Sequence, residues 1–389
     1  MNILDSMKAY ETFLGEALGR ELVEDGLRAK REKMKDSPFA FLRATYWRWA
    51  ETIPDLPGEP AGTPRVLAVG DIHLENFGTW RDAEGRLVWG VNDYDEAAEM
   101  PYVLDLLRLA TSARLARGET KTPATATIAE AILAGYADGL RTPGPCVLDR
   151  DKALGNLRNA VAVPEGEREK FWNGLEKKQN EFRKPGTGHP TLWPRYRDAL
   201  LAALPPGAGA EESDMWYREA GLGSLGRPRW VVQAQWRGDA VVREAKGVVL
   251  SAWTWVRKDQ GPAPRCLEIA TGRHRAPDPW YRVADGIAVR LLSPNNRKIE
   301  TDKPLGEDNK NGTEKTLGKD VLLSSWMLTL MGRELAAVHL GTGGEGQDTG
   351  KRIRENLDQR ERENKDWLAR RTEQAARSVL DDYAAILKG

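Results

Sequence analysis

The stretch VLAVGDIHLENFGTW, Val66–Trp80, constrains the chain more than any other. Its apolar run Val66–Val69 reads as a buried strand, and Gly70 as a sharp exit from it. Asp71, His73, Glu75 and Asn76 then crowd ligand-type side chains onto one loop just past a strand end. Loops of that kind are where binding and catalysis concentrate. A turn at Glu84-Gly85 leads to a second strand, Leu87–Val91, which ends in a carboxylate run, Asp93-Tyr94-Asp95-Glu96. Two adjacent strand ends therefore carry acidic groups, with a short hairpin between them.

The rest of the chain divides by texture. Residues 5–52 show helical spacing, and Ser37-Pro38 restarts a helix with a capping residue and a proline in the first turn. PDLPGEPAGTP (54–64) is a loop, and Tyr102–Arg117 and Thr125–Leu140 are apolar helices. Charged helices continue to about Leu204, and PPGAGAEESD (205–214) has the composition of a linker. RWVVQAQW and AVVREAK then read as a hairpin, and Gly286–Leu292 as a further strand, among Pro- and Asn-rich loops at 258–264 and 301–313. Asp320–His339 reads as a helix capped by Asp320, GTGGEGQDTG (341–350) as a loop, and 351–388 as one long charged helix. The order is helical, strand-rich, helical.

Totals exclude several classes. In 389 residues, 58 basic side chains balance 58 acidic ones, so no net field favours nucleic acid or an anionic membrane. No run of 18 apolar residues occurs, and the start shows no signal-peptide pattern. The two cysteines, Cys146 and Cys266, make a disulfide framework unexpected. A cytoplasmic protein is expected, with neither nucleic-acid nor membrane partners.

Asp71, Asn76 and Asp93 form the first chemical constellation. Phosphoryl transfer needs positioning and charge neutralisation: one carboxylate to take the proton of the attacking hydroxyl, an amide oxygen and a second carboxylate to hold magnesium. For each residue alone the reading as a turn or helix cap is the stronger one; the set together favours the chemistry. "GDIH" after a strand also opens two-metal phosphoesterases, but His73, His189, His274 and His339 are too few and too scattered for such a site.

A second constellation is GLGSLG, Gly221–Gly226, which leads into a strand and so fails the context of a dinucleotide fold. A glycine-rich turn between strands, with Gly221, Gly223, Ser224 and Gly226, suits a lid over ATP phosphates and is equally a common turn. Arg243 and Lys246 end the next strand three residues apart, so only one of them faces any given side. Glu268 is a candidate partner for a phosphate-binding lysine. Asp105, inside an apolar helix, reads as a structural anchor bonded to amides of the 70–76 loop or to Arg108.

These parts resemble protein-kinase-like phosphotransferases of the aminoglycoside and choline kinase type, in a different chain order. GDIHLENFG and VNDYDEA come first, the glycine turn and REAK follow, and RELAAVHLG (333–341) comes near the end. A circular permutation gives that order. REKMKDSPFAFLRA, GDIHLENFG, NDYDEA, PYVLDLLRLATS, GLGSLG and VVREA also resemble a bacterial family catalogued as domain of unknown function 2252.

The kinase resemblance implies an α+β, two-lobed, permuted fold with a small antiparallel sheet lobe and a larger helical lobe. It implies N-terminal helices (1–60), a helical lobe with the catalytic and metal loops (61–205), a nucleotide lobe (215–318) and returning C-terminal helices (319–389). Asp71 would be the base and Asn76, Asp93 and Asp95 magnesium ligands. Gly221–Gly226 would cover ATP phosphates, Lys246 would be favoured over Arg243 on those phosphates, and Glu268 would hold the lysine. Val69 stands where those kinases have a histidine, and Arg243 where the bacterial family has lysine. The expected function is ATP- and magnesium-dependent transfer to a small molecule or a protein side chain. The alternatives are AMP transfer, a silent nucleotide sensor and, least favoured, metal-dependent phosphoester hydrolysis.

Overall fold

A computed structural model describes residues 1–54, 62–149, 151–184, 188–258, 261, 263–305, 317–342 and 348–388. The loops read at 54–64, 258–264, 301–313 and 341–350 lie partly outside them. The chain mixes helix and sheet, an α+β arrangement. Among the described residues the strands are β1 (Arg65–Ala68), β2 (Phe77–Arg81), β3 (Leu87–Val91), β4 (Ala98–Pro101), β5 (Cys146–Val147), β6 (Met215–Tyr217), β7 (Arg229–Trp236), β8 (Asp239–Gly247), β9 (Arg282–Ala284) and β10 (Ile287–Leu292).

Five of them form an antiparallel sheet in the order β6-β7-β8-β10-β9. Strand alternation divides its side chains between two faces. Trp230, Val232, Ala245, Ile287 and Val289 pack on Tyr196 and Leu200 of helix Pro194–Ala202. Lys246 and Glu244 project from the opposite side. β1 pairs with β4, and β2-β3-β5 form a small third sheet.

The helical body is organised around Val103–Ala116, whose residues are nearly all buried. Helices Thr125–Arg141 and Ser325–Gly341 cross beside it at glycines. A Cβ at Gly135 would lie 1.8 Å from the Thr329 carbonyl, and one at Gly332 2.2 Å from that of Ile132. Near the N-terminus Ser37 accepts from the Ala40 amide at 3.1 Å, with Pro38 opening helix Pro38–Ala44, as the sequence predicts.

Three expectations are corrected. The C-terminal helix is two, Thr349–Glu363 and Trp367–Lys388. It breaks where the Asn364 side chain accepts from the Asp366 amide at 3.1 Å, a turn that competes with helical bonding. Asp320 does not cap a helix running to His339; it lies inside a short helix, Gly318–Leu322, that precedes Ser325–Gly341. The segment 205–214 is pinned to the sheet, since Gly209 bridges to Gln235 and Pro206 accepts from the Trp236 indole at 3.2 Å.

Candidate functional site

Asp71 begins the loop after β1, and Gly70 takes a φ of +78° to turn the chain there. A side chain at that position would meet the Glu96 carbonyl at 2.5 Å, so the turn requires glycine twice over. Asp105 anchors it from beneath: its carboxylate accepts from the Val69 amide at 2.8 Å and the Gly70 amide at 3.0 Å. His339 Nε2 lies 3.0 Å from the same carboxylate, and its Nδ1 lies 2.8 Å from the Tyr136 hydroxyl. An imidazole donating to Asp105 accepts from Tyr136, which completes a buried chain of polar partners. Arg108, the other partner considered for Asp105, instead pairs with Asp71.

Burial raises the Asp71 carboxyl from 3.8 to about 6, against the pull of Arg108 and with a further push from Glu96. The Asn76 side-chain amide donates to the Asp71 carbonyl at 2.9 Å, which commits its nitrogen and leaves its oxygen for another partner. His73 is buried, and burial together with Arg43, Lys298 and Arg108 holds it well below its usual value, so it is a neutral imidazole.

The carboxylates after β3 face the same space. Lys246 Nζ sits 3.2 Å from Asp93 Oδ1 and 2.6 Å from Asp95 Oδ2. Burial opposes ionisation of Asp93, but Lys246, Arg290 and Arg229 outweigh it and hold its carboxyl below the usual range. Asp95 Oδ1 is buried with no hydrogen-bond partner. Arg227, next to the glycine turn, pairs with Glu96 at 2.7 Å and Asp95 at 3.4 Å. Glu96 in turn accepts from the Ala252 amide at 2.6 Å.

The glycine turn between β6 and β7 closes the site. Gly221 and Gly226 have φ of +76° and +95°, and a Cβ at Gly223 would stand 3.1 Å from Asp71 Oδ2. Ser224 accepts from Arg229 at 2.7 Å. Asp71, Asn76, Asp93, Asp95, Gly221 and Gly223 thus line one cavity of about 50 Å³. The turn is held from above by helix Glu24–Lys33. The Val23 amide donates to the Gly226 carbonyl at 2.9 Å, and Lys30 Nζ to that of Gly223 at 2.8 Å. Burial, aided by Arg227, lowers the Lys30 ammonium to about 7.

Two of the expected residues are not brought to this site. Arg243 points to the other face of β8, where it donates to the Ala203 carbonyl at 3.0 Å and lies over Trp280. Strand alternation puts the two on opposite faces, and Lys246 is the one turned toward the carboxylates. Glu268 is paired with Arg265 at 2.6 Å, and the lysine's partners are Asp93 and Asp95 instead. Among the described residues no three Asp, Glu, His or Cys side chains form a metal-binding group.

Residues 20–146 match the model of a family described as an uncharacterized protein conserved in bacteria, DUF2252. That span carries Asp71, Asn76, Asp93 and Asp95 and stops before the glycine turn and Lys246. No curated protein and no solved structure matches the chain. Among the described residues no helix is long and apolar enough to cross a membrane.

Several supporting residues escaped the sequence reading. Glu334 accepts from the Val91 amide at 3.1 Å and pairs with Arg275, which also donates to the Val91 carbonyl at 2.8 Å. Together they fix the end of β3 and so aim Asp93. Glu334 is visible only as a charge inside an apolar helix and Arg275 only as one charge among several in GRHRAPD, with no local pattern to name the partner. A second, larger cavity of about 270 Å³ adjoins the first, with Lys298 lining both.

Proposed function

We propose that the chain is an ATP- and magnesium-dependent phosphotransferase of protein-kinase-like design, permuted so that the sheet follows the catalytic loop. The observation that carries this reading is the approach of the glycine turn to Asp71. A Cβ at Gly223 would stand 3.1 Å from that carboxylate, across a cavity shared with Asn76, Asp93 and Asp95. Kinases cover the phosphates with a glycine-rich loop and reach them with a lysine on the third strand of the sheet. Here the glycine turn joins the first and second strands of the five-stranded sheet, and Lys246 is on the third.

Asp71 is the base: its raised carboxyl remains ionised at neutral pH yet is a better proton acceptor than a free aspartate. The donor set fits a hard cation. Asn76 has its amide nitrogen committed, Asp95 has a buried oxygen without a partner, and Asp93 stays ionised. Bound magnesium would supply neutralisation of phosphate charge, which is its usual service in such transfers. Lys246 would supply a further positive charge beside it, and the Arg227–Glu96 pair would keep the glycine turn in register with the carboxylates.

Two observations favour a second reading, a nucleotide sensor without turnover. Asp71 is already engaged by Arg108, and the cavity between the glycine turn and the carboxylates measures only about 50 Å³. Two measurements separate the possibilities. Mg-ATP at a hundred times its dissociation constant should stabilise the fold by ~2.7 kcal/mol under either reading. ATP turnover that disappears in Asp71→Asn marks the enzyme. Stabilisation without turnover in the wild type marks the sensor, and no stabilisation contradicts both.

A further inference from the structure

The larger cavity is strongly cationic. Arg218, Arg290, Arg297 and Lys298 line it, against a single lining carboxylate, Asp278. Behind its wall the buried Glu244 takes Arg229 at 2.6 Å, Arg290 at 2.8 Å and Arg218, so one carboxylate answers three guanidinium groups. The other two cations are less well matched still. Arg297 reaches Glu167 only at 3.7 Å, and its Nε is buried with no hydrogen-bond partner. Lys298 makes no ion pair within 4.0 Å among the described residues, and Glu75, Asp93 and Glu300 act on it only from further away. The loop carrying both is nonetheless fixed, since the Arg297 carbonyl accepts from the Thr79 amide at 2.9 Å.

Arg297 and Lys298 thus stand beside two guanidinium groups whose shared carboxylate, Glu244, is already taken, and a bound anion would relieve the repulsion among the four cations. Planar guanidinium groups and an ammonium are the donors that suit phosphate oxygens. Trp80 and Tyr281 add aromatic surface for a ring or carbon skeleton. The volume, about 270 Å³, is close to the ~300 Å³ at which small-molecule sites begin.

We infer that this cavity binds the phosphate group of an organic phosphate, with Lys298 and Arg297 as its principal donors. The inference deepens the proposed function and rests on it only for the source of the phosphate, which is the nucleotide or a phosphorylated acceptor. Lys298, at the junction of the two cavities, would then link the bound anion to the carboxylate site.

Calorimetric titration without magnesium tests it, using tripolyphosphate and glycerol 3-phosphate as probes against wild type, Lys298→Gln and Arg297→Gln. At least one probe should bind the wild type, more weakly as salt rises, and lose about tenfold or more in affinity in each variant. Lys298 makes no ion pair that the fold needs, so its variant stays informative if Arg297→Gln proves unstable. Competition between ATP and the bound probe assigns the phosphate to the nucleotide, and simultaneous binding assigns it to the acceptor. Absence of binding by both probes, or affinity unchanged in Lys298→Gln, overturns the inference. Mg-ATP turnover alongside either result leaves the proposed function standing, whereas probe binding without turnover removes that function and keeps the anion site.

Discussion

Asp71 is held between opposing influences. Burial lifts its carboxyl from 3.8 to about 6, Arg108 draws it back, and Glu96 pushes it further up. Between those two values the folded chain binds the proton more tightly than the unfolded chain, so this group's contribution makes stability fall as pH rises through that window. Under the proposed function activity moves the other way, because a catalytic Asp71 must be ionised: the rate should climb with pH through about 6. Arg108→Gln removes the charge that favours ionisation, so the acid limb should shift upward, read from rate against pH or from direct NMR titration of the carboxyl. An unmoved limb would deny Arg108 its role. The acidic residues themselves were legible in the sequence because Asp71, Asn76, Asp93 and Asp95 cluster within two neighbouring loops. Strand alternation makes Lys246 and Arg243 exclusive of one another on any one face, but which of them turns toward the carboxylates is shown only by the structure. Arg108 as the partner of Asp71 was not legible, since it was weighed only against the nearer carboxylate, Asp105.

At the scale of elements, the glycine turn is shaped as much by helix Glu24–Lys33 as by its own sequence. A Cβ at Gly26 would fall 2.6 Å from the Gly226 nitrogen, and Lys33 pairs with Glu219 at 2.5 Å on the same approach. Backbone atoms have nowhere to retreat, so Gly26→Ala must separate helix and turn. It should cost ~1–3 kcal/mol in denaturant unfolding, as overpacked sites do, and speed hydrogen exchange at the turn's amides. Unchanged exchange would mean that the helix does not hold the turn. No local feature of EDGLRAK announces this contact, because Gly26 reads as an ordinary helix-weakening residue until its partner is known. The break at Asn364 is hard to see for a related reason: apolar positions at helical spacing continue on both sides of it, Ile353 and Leu357 before and Leu368, Ala375 and Val379 after, and only the short Asn364 turn separates them.

Across the whole molecule, the proposed function needs two segments remote in sequence to act as one site. The change from helical to strand-rich texture near residue 215 was visible in composition and spacing, and the five-stranded sheet lies within that region. What brings the sheet onto the acidic loops is a set of long-range charged contacts: Arg227 to Glu96, Lys246 to Asp93 and Asp95, Lys30 to the Gly223 carbonyl. Such contacts leave no periodic trace, so the sequence offered the parts and a likeness but not their junction. Amide hydrogen exchange with and without Mg-ATP tests that junction most directly. A shared site predicts slower exchange in both 70–76 and 221–226, lost together in Asp93→Asn. Protection of only one segment, or of neither, would contradict it.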